Sequence, residues 1–139
     1  MVLSIFTDGG SKGNPGPAAI GIAFYKDNKR IHTYREDIGR ATNNDAEYTA
    51  VIRALEIICD KRANQQWQDI TEFKFNADSQ LVVSQLNGVY KIKHPQIRIY
   101  IDQIKKLESE VDATISYTYI PREKNQVADS LVNNKLTEE

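Results

Sequence analysis

A chain of 139 residues, 40% apolar and 27% charged, holds enough material for one domain, taken as 1–139, with a core of its own. Its net charge of −1 excludes a general basic attraction to nucleic acid, so any such partner must be argued from local chemistry. No apolar run approaches the roughly 20 residues of a membrane span, and the N-terminus is expected to enter a strand without a signal peptide. The single cysteine, Cys59, rules out an internal disulfide and fits a reducing, cytoplasmic setting; beside Ile57 and Ile58 it reads as a core residue and not a nucleophile.

Residues 2–7 form an apolar strand that ends at Asp8. Residues 9–17 follow as a loop with four glycines and two prolines in nine positions. Residues 18–26 and 30–39 are two further strands, joined by a short turn at Asp27, Asn28 and Lys29. Three tightly linked strands predict an antiparallel meander. Helix-start chemistry comes next: Asn44 can cap, and Glu47 three residues on can complete a capping box. The helix is expected to run to about Asp60, with Val51, Leu55 and Ile58 on one face.

Residues 63–69 read as a polar loop around Trp67, and 71–77 as a strand ending at Asp78. A short helix over 79–86 turns Leu81, Val82 and Leu86 inward and stops at Gly88. Pro95 opens another helix with Ile97, Ile101, Ile104 and Leu107 at helical spacing. Residues 114–120 alternate as a strand that Pro121 ends, and 125–136 close the chain as a helix with Ala128, Leu131 and Val132 inward. Strands that alternate with helices pair in parallel, so the α/β pattern predicts a mixed five-stranded sheet with helices on both faces.

Four acidic residues fall at comparable places in this scheme. Asp8 and Asp78 end strands, while Glu47 and Asp129 lie in the first turns of helices. A carboxylate at the end of a buried strand is costly unless a cation meets it, and the Gly/Pro loop is a rigid platform that presents Asp8. Sites in open α/β sheets form beyond the carboxyl ends of strands, where all four side chains can converge. Carboxylates gathered there repel one another until a hard divalent cation, usually Mg²⁺, binds them. Each also has an ordinary alternative. Glu47 can be the box partner of Asn44, Asp78 an N-cap, Asp129 a solvated helix residue, and Asp8 the organiser of its own turn.

Four segments resemble type 1 ribonuclease H in the family's order: TDGGSKGNPGP at 7–17, GRATNNDAEYTAVIRALE at 39–56, ADSQLVV at 77–83 and REKNQVADSLVN at 122–133. The resemblance implies strand order 3-2-1-4-5 and an endonuclease, expected as a monomer, that cuts the RNA strand of RNA–DNA hybrids. Asp8, Glu47, Asp78 and Asp129 match the family's catalytic, metal-binding carboxylates. The implied chemistry is two-metal hydrolysis with Mg²⁺, or alternatively Mn²⁺, leaving a 5′-phosphate and a 3′-hydroxyl. Asp8 would bridge the two ions, with Glu47 and Asp78 on one side and Asp129 on the other. Asn14, Asn43 and Gln80 match positions that meet nucleic acid near the minor groove, where 2′-hydroxyls mark RNA. Arg40 and Thr42 match the start of a pocket for a DNA phosphate. Helix capping by Asn43 and a solvated Arg40 are the plainer alternatives.

The chain departs from the family in two places. The loop before the last helix, 120–125, is short and lacks the histidine many members carry; Arg122, or as second choice Glu123, is the candidate for its place. Residues 87–96 are too few for the basic protrusion of some members and offer only Tyr90, Lys91, Lys93 and His94, with Tyr90 able to stack on a sugar or base or simply to pack. A free-standing enzyme without an N-terminal hybrid-binding module is expected. The alternatives are a detached reverse-transcriptase domain, a broader nuclease that also cuts double-stranded RNA, and a catalytically silent nucleic-acid-binding module.

Overall fold

Asp27 and Asn28 both hold positive φ, 52° and 63°, the backbone of a two-residue turn whose twist suits antiparallel strands. They join β2 (Gly16–Lys26) to β3 (Lys29–Ala41), with Lys26 already paired to Lys29. The computed structural model describes residues 1–89 and 91–135, and β1 (Val2–Ser11) lies antiparallel to β2. β1 runs past Asp8 because Gly9, Gly10 and Ser11 stay in the ladder, opposite Ile20, Ala19 and Ala18.

α1 (Asn43–Ala63) starts differently from the expected cap. Thr42 is the N-cap: its hydroxyl accepts the Asp45 N–H at 3.1 Å, and the Asp45 carboxylate accepts the Thr42 N–H at 3.1 Å. The box therefore uses Thr42 and Asp45, not Asn44 and Glu47, because Asn43 is already helical. Glu47 is left free of the helix end. α1 then lies between the sheet and α3 (Pro95–Val111) and buries residues on both sides, among them Tyr48, Val51, Leu55 and Ile58.

β4 (Glu72–Ala77) pairs in parallel with β1, and β5 (Thr114–Tyr119) in parallel with β4. The sheet order is β3-β2-β1-β4-β5, as expected. α2 (Gln80–Leu86) is capped by Ser79, whose hydroxyl accepts the Val82 N–H at 3.3 Å. Its inward stripe is Val82, Val83 and Leu86; Leu81 falls off that stripe and is 46% exposed, contrary to its expected place. α3 begins at Pro95 with His94 as cap. A 3₁₀ turn, Arg122–Lys124, leads into α4 (Gln126–Val132), which buries Ala128 and Leu131. The helix ends at Asn133; Leu136 of the longer expected helix lies outside the described residues, as does Tyr90.

Leu3, Ile5, Ile20, Ile22, Phe24, Phe73 and Phe75 from the sheet fill the core with α1 and with Ile104 of α3. Burying each such side chain contributes about 1.5–3 kcal/mol. Two glycines set the helices against the strands. A Cβ on Gly9 would come within 2.3 Å of the Ala46 carbonyl carbon in α1, and one on Gly21 within 2.4 Å of the Ala128 oxygen in α4. Asp8 pairs with Gly21, and Gly9 with Ile20, so these contacts fall at successive positions of the β1–β2 ladder. Successive positions point to opposite faces, which puts α1 on one face of the sheet and α4 on the other. No helix among the described residues is long and apolar enough to cross a membrane.

Candidate active site

The sheet brings Asp8 and Asp78 together because β1 and β4 are neighbours and run the same way: Thr7 pairs with Ala77, and the next residue of each is the acid. The close seat of α1 on Gly9 brings Glu47 to the same point. Asp8, Glu47 and Asp78 each offer a carboxylate oxygen, and these oxygens lie within 4.8 Å of one another. They sit in a cleft of about 950 Å³ whose wall also carries Asp129, Arg122 and Asn43. Asp129, half-buried one turn into α4, is outside that close trio but lines the same cleft.

The Gly9 N–H donates to Asp8 Oδ1 at 3.0 Å and to Glu47 Oε1 at 3.2 Å. One backbone donor thus serves two carboxyl groups that are themselves in hydrogen-bond contact. Burial first, then the charges of Asp78 and Asp129, push the Asp8 carboxyl up to about 7, against the pull of Glu47 and Gly9. Burial and the neighbouring Asp8 hold Glu47 well above the ordinary carboxylate range. No cationic side chain makes an ion pair with any of the four acids among the described residues. Three oxygen donors, two buried and one half-buried, crowded and unneutralised, are the donor set that a hard divalent cation suits. The capping explanations of Glu47 and Asp78 fall away, since Asp45 and Ser79 fill those roles.

The other expected residues divide. Asn14 Oδ1 accepts the Asn43 N–H at 2.8 Å, and Asn43 Oδ1 accepts the Ser11 N–H at 2.8 Å, so the two asparagines lace the Gly/Pro loop to the start of α1. Both remain exposed, and Asn43 lines the cleft. Thr42 caps α1, while Arg40 is exposed on β3 opposite Pro17. Gln80 is exposed at the first position of α2. Arg122 stands exposed on the 3₁₀ turn at the cleft wall.

Two residues had no sequence signal of their own. Arg35 Nε donates to the Leu131 carbonyl at 2.8 Å and Nη2 to the Val132 carbonyl at 3.4 Å, so β3 satisfies the C-terminal end of the helix that carries Asp129. Asn125, which reads as an ordinary helix-start residue, makes no cap bond; its amide turns inward, 1% exposed, onto Thr7 and Asp78.

A family described as reverse transcriptase-like matches residues 6–135. A bifunctional protein of Mycobacterium tuberculosis is 38% identical over 98% of the chain, which covers 36% of that protein. A ribonuclease HI of Halobacterium salinarum is 38% identical over 94% of the chain, which covers 62% of it. The chain therefore spans about a third of the length of the mycobacterial relative. The crystal structure of a protein named LC11-RNase H1, in complex with RNA/DNA hybrid, superposes with a TM-score of 0.87 at 40% identity, covering 95% of this chain and 94% of that one.

Proposed function

The chain belongs to the reverse transcriptase-like family, in its type 1 ribonuclease H branch, and on that premise we propose that it is a metal-dependent endoribonuclease that hydrolyses the RNA strand of RNA–DNA hybrids. The carrying observation is the trio of buried Asp8 and Glu47 with half-buried Asp78, whose oxygens lie within 4.8 Å of one another, open to a polar cleft. Asp8, Glu47, Asp78 and Asp129 would hold Mg²⁺, with Mn²⁺ as the alternative ion. When bound, two such ions supply Lewis-acid activation of the attacking water and neutralise charge at the scissile phosphate. The expected products carry 5′-phosphate and 3′-hydroxyl ends.

The residues of the chain supply the rest. Asp8 and Glu47 give up the protons that burial and mutual repulsion make them retain, so cation binding is coupled to proton release. The shared Gly9 N–H keeps both carboxylates facing the cleft. Arg122 is not a base, because a guanidinium stays protonated; it holds phosphate charge or helps the product leave. Asn14 and Asn43 present an exposed polar edge to the hybrid's minor groove, where 2′-hydroxyls mark the RNA strand, and Gln80, exposed at the start of α2, is proposed to add to it. Arg40 and Thr42 are proposed for the DNA phosphate. All four carboxylates come from one chain, which supports action as a monomer within a single domain.

Incubation with labelled RNA–DNA hybrid, double-stranded RNA and double-stranded DNA, each with Mg²⁺ or Mn²⁺, tests the reading. Cleavage of the RNA strand of the hybrid is expected, and no cleavage of any substrate with either ion would leave only a silent binding module. Cutting of double-stranded RNA at a comparable rate would widen the activity to the broader nuclease, the reading that the short turn without histidine at 120–125 favours.

A further inference from the structure

Asn125 is the one polar residue of the last turn-and-helix segment that the fold buries. Its Nδ2 donates to the Thr7 carbonyl at 2.9 Å and to Asp78 Oδ2 at 3.2 Å. Its backbone carbonyl accepts the Asp129 N–H at 3.1 Å. One residue thus touches the peptide before Asp8, the side chain of Asp78 and the backbone of Asp129.

The amide has no freedom to turn over. Two acceptors face its nitrogen, and a flip would set Oδ1 against both of them. Oδ1 itself is buried without a partner, a costly arrangement for a residue whose only task is to tie a helix to a strand. Asn125 is also the sole side chain given a hydrogen bond to the Asp78 carboxylate among the described residues. A carboxylate held through one oxygen by a buried donor has its second oxygen directed and its rotamer fixed.

We propose that Asn125 is a positioning residue: its amide locks Asp78 in the rotamer that completes the cation site with Asp8 and Glu47. The inference rests on the reading of these carboxylates as cation ligands and adds the group that orients one of them. It assigns the last helix two duties at the site, Asp129 as a carboxylate and Asn125 as the clamp on a carboxylate from another strand.

Mn²⁺ binding to the full chain, followed by calorimetry, gives a readout independent of turnover. Asn125→Ala should weaken Mn²⁺ binding about 10-fold or more. In cleavage assays the same variant should need correspondingly more Mg²⁺ for half-maximal rate, recover most of its turnover at saturating Mg²⁺, and keep its KM for hybrid. A role confined to tying the helix would instead lower the active fraction equally at every Mg²⁺ concentration and leave the Mn²⁺ affinity of the folded protein intact, which overturns the proposal. Should the alanine variant fail to fold, Asn125→Ser takes its place: it keeps a donor too short to span both acceptors, and Mn²⁺ affinity equal to the parent's would count equally against the clamp. A parent chain that binds no Mn²⁺ would sink the ligand reading and this inference together, whereas a parent that binds and an Asn125→Ala variant that binds as tightly would sink the inference alone.

Discussion

The two ends of the central strands treat charge in opposite ways. Where β1 and β4 begin, several charged groups are met by partners. Lys26 pairs with Asp69 at 2.9 Å, Arg62 Nη1 donates to the carbonyls of Trp67 and Ile70 at 3.0 and 3.1 Å, and the N-terminal ammonium donates to Thr71 Oγ1 at 3.1 Å. Where the same strands end, Asp8 and Asp78 converge with Glu47, and among the described residues repulsion is answered by backbone and amide donors and by the contact between the Asp8 and Glu47 carboxyls, with no cation. Similar strands carry both ends, so the difference does not come from the sheet. Stability is satisfied at one end and set aside at the other, which is the usual mark of a site that waits for a ligand.

Substitutions at the two ends should separate these roles. The largest expected effect is on cleavage: Asp8→Asn should lower the rate by at least about a thousandfold while hybrid binding, which rests on phosphate and sugar contacts, largely survives. Near-parental cleavage by this variant would remove the carboxylate mechanism. Next comes Arg122→Ala, expected to reduce turnover by about 10–100-fold, the worth of a charge-assisted hydrogen bond, with a smaller change in KM. Arg122→Lys should recover part of it, since charge is kept and the fork is lost. Steady-state cleavage of one hybrid by the three forms at fixed Mg²⁺ decides the matter, and parental turnover in Arg122→Ala would reduce the turn to a connector.

Stability should then move in opposite directions at the two ends. Asp8 holds its proton up to about pH 7 in the folded chain and to about 3.8 when unfolded. Between those values the native state binds the extra proton, so the metal-free fold loses stability as pH rises from about 4 to about 7 and stays at the lower level above. Asp8→Asn removes that loss. In chelator at pH 8 it should be more stable than the parent by on the order of 2–4 kcal/mol, a rise of several degrees in Tm, with the gain fading as pH falls toward 4. A lower Tm for Asp8→Asn at pH 8 would mean that the carboxylate is a structural cap. At the other end, Arg62→Ala should cost about 1–3 kcal/mol, because the Ile70 carbonyl loses its donor while the Trp67 carbonyl keeps the Ile70 N–H, with cleavage per folded molecule unchanged. The smallest effect belongs to Lys26→Ala, whose pair is half open to solvent and should shift Tm by no more than about 2 °C.

The sequence already showed much of this contrast. The mixed five-stranded sheet, and the place of each acid at a strand end, follow from the alternation of strands and helices, whereas strand order 3-2-1-4-5, which makes Asp8 and Asp78 neighbours, came from the resemblance to type 1 ribonuclease H. The cap of α1 was misplaced by two residues because Thr42, Asn43 and Asn44 are all competent caps, and only the backbone decides which is extended; Thr42 is, at φ −84° and ψ 167°. Leu81 was misread for a related reason: a seven-residue helix has too little periodicity to fix its inward stripe. Asn125 and Arg35 were invisible because their partners are carbonyls and a carboxylate far along the chain, and no local pattern encodes such contacts.

Gly9 and Gly21 have a consequence for how the protein tolerates change. At these two positions α1 and α4 rest on strand backbone with no side chain between. The separation of Glu47 from Asp8, and of α4 from β2, is therefore gauged by the thickness of the main chain and not by the volume of core residues. Exchanging Ile for Leu deep in the core rearranges packing but has little leverage on the spacing of the acids, whereas a single methyl group at either glycine would pry a helix off the sheet. Drift can rework the interior of such a molecule extensively while the dimensions of its cleft are handed down unchanged.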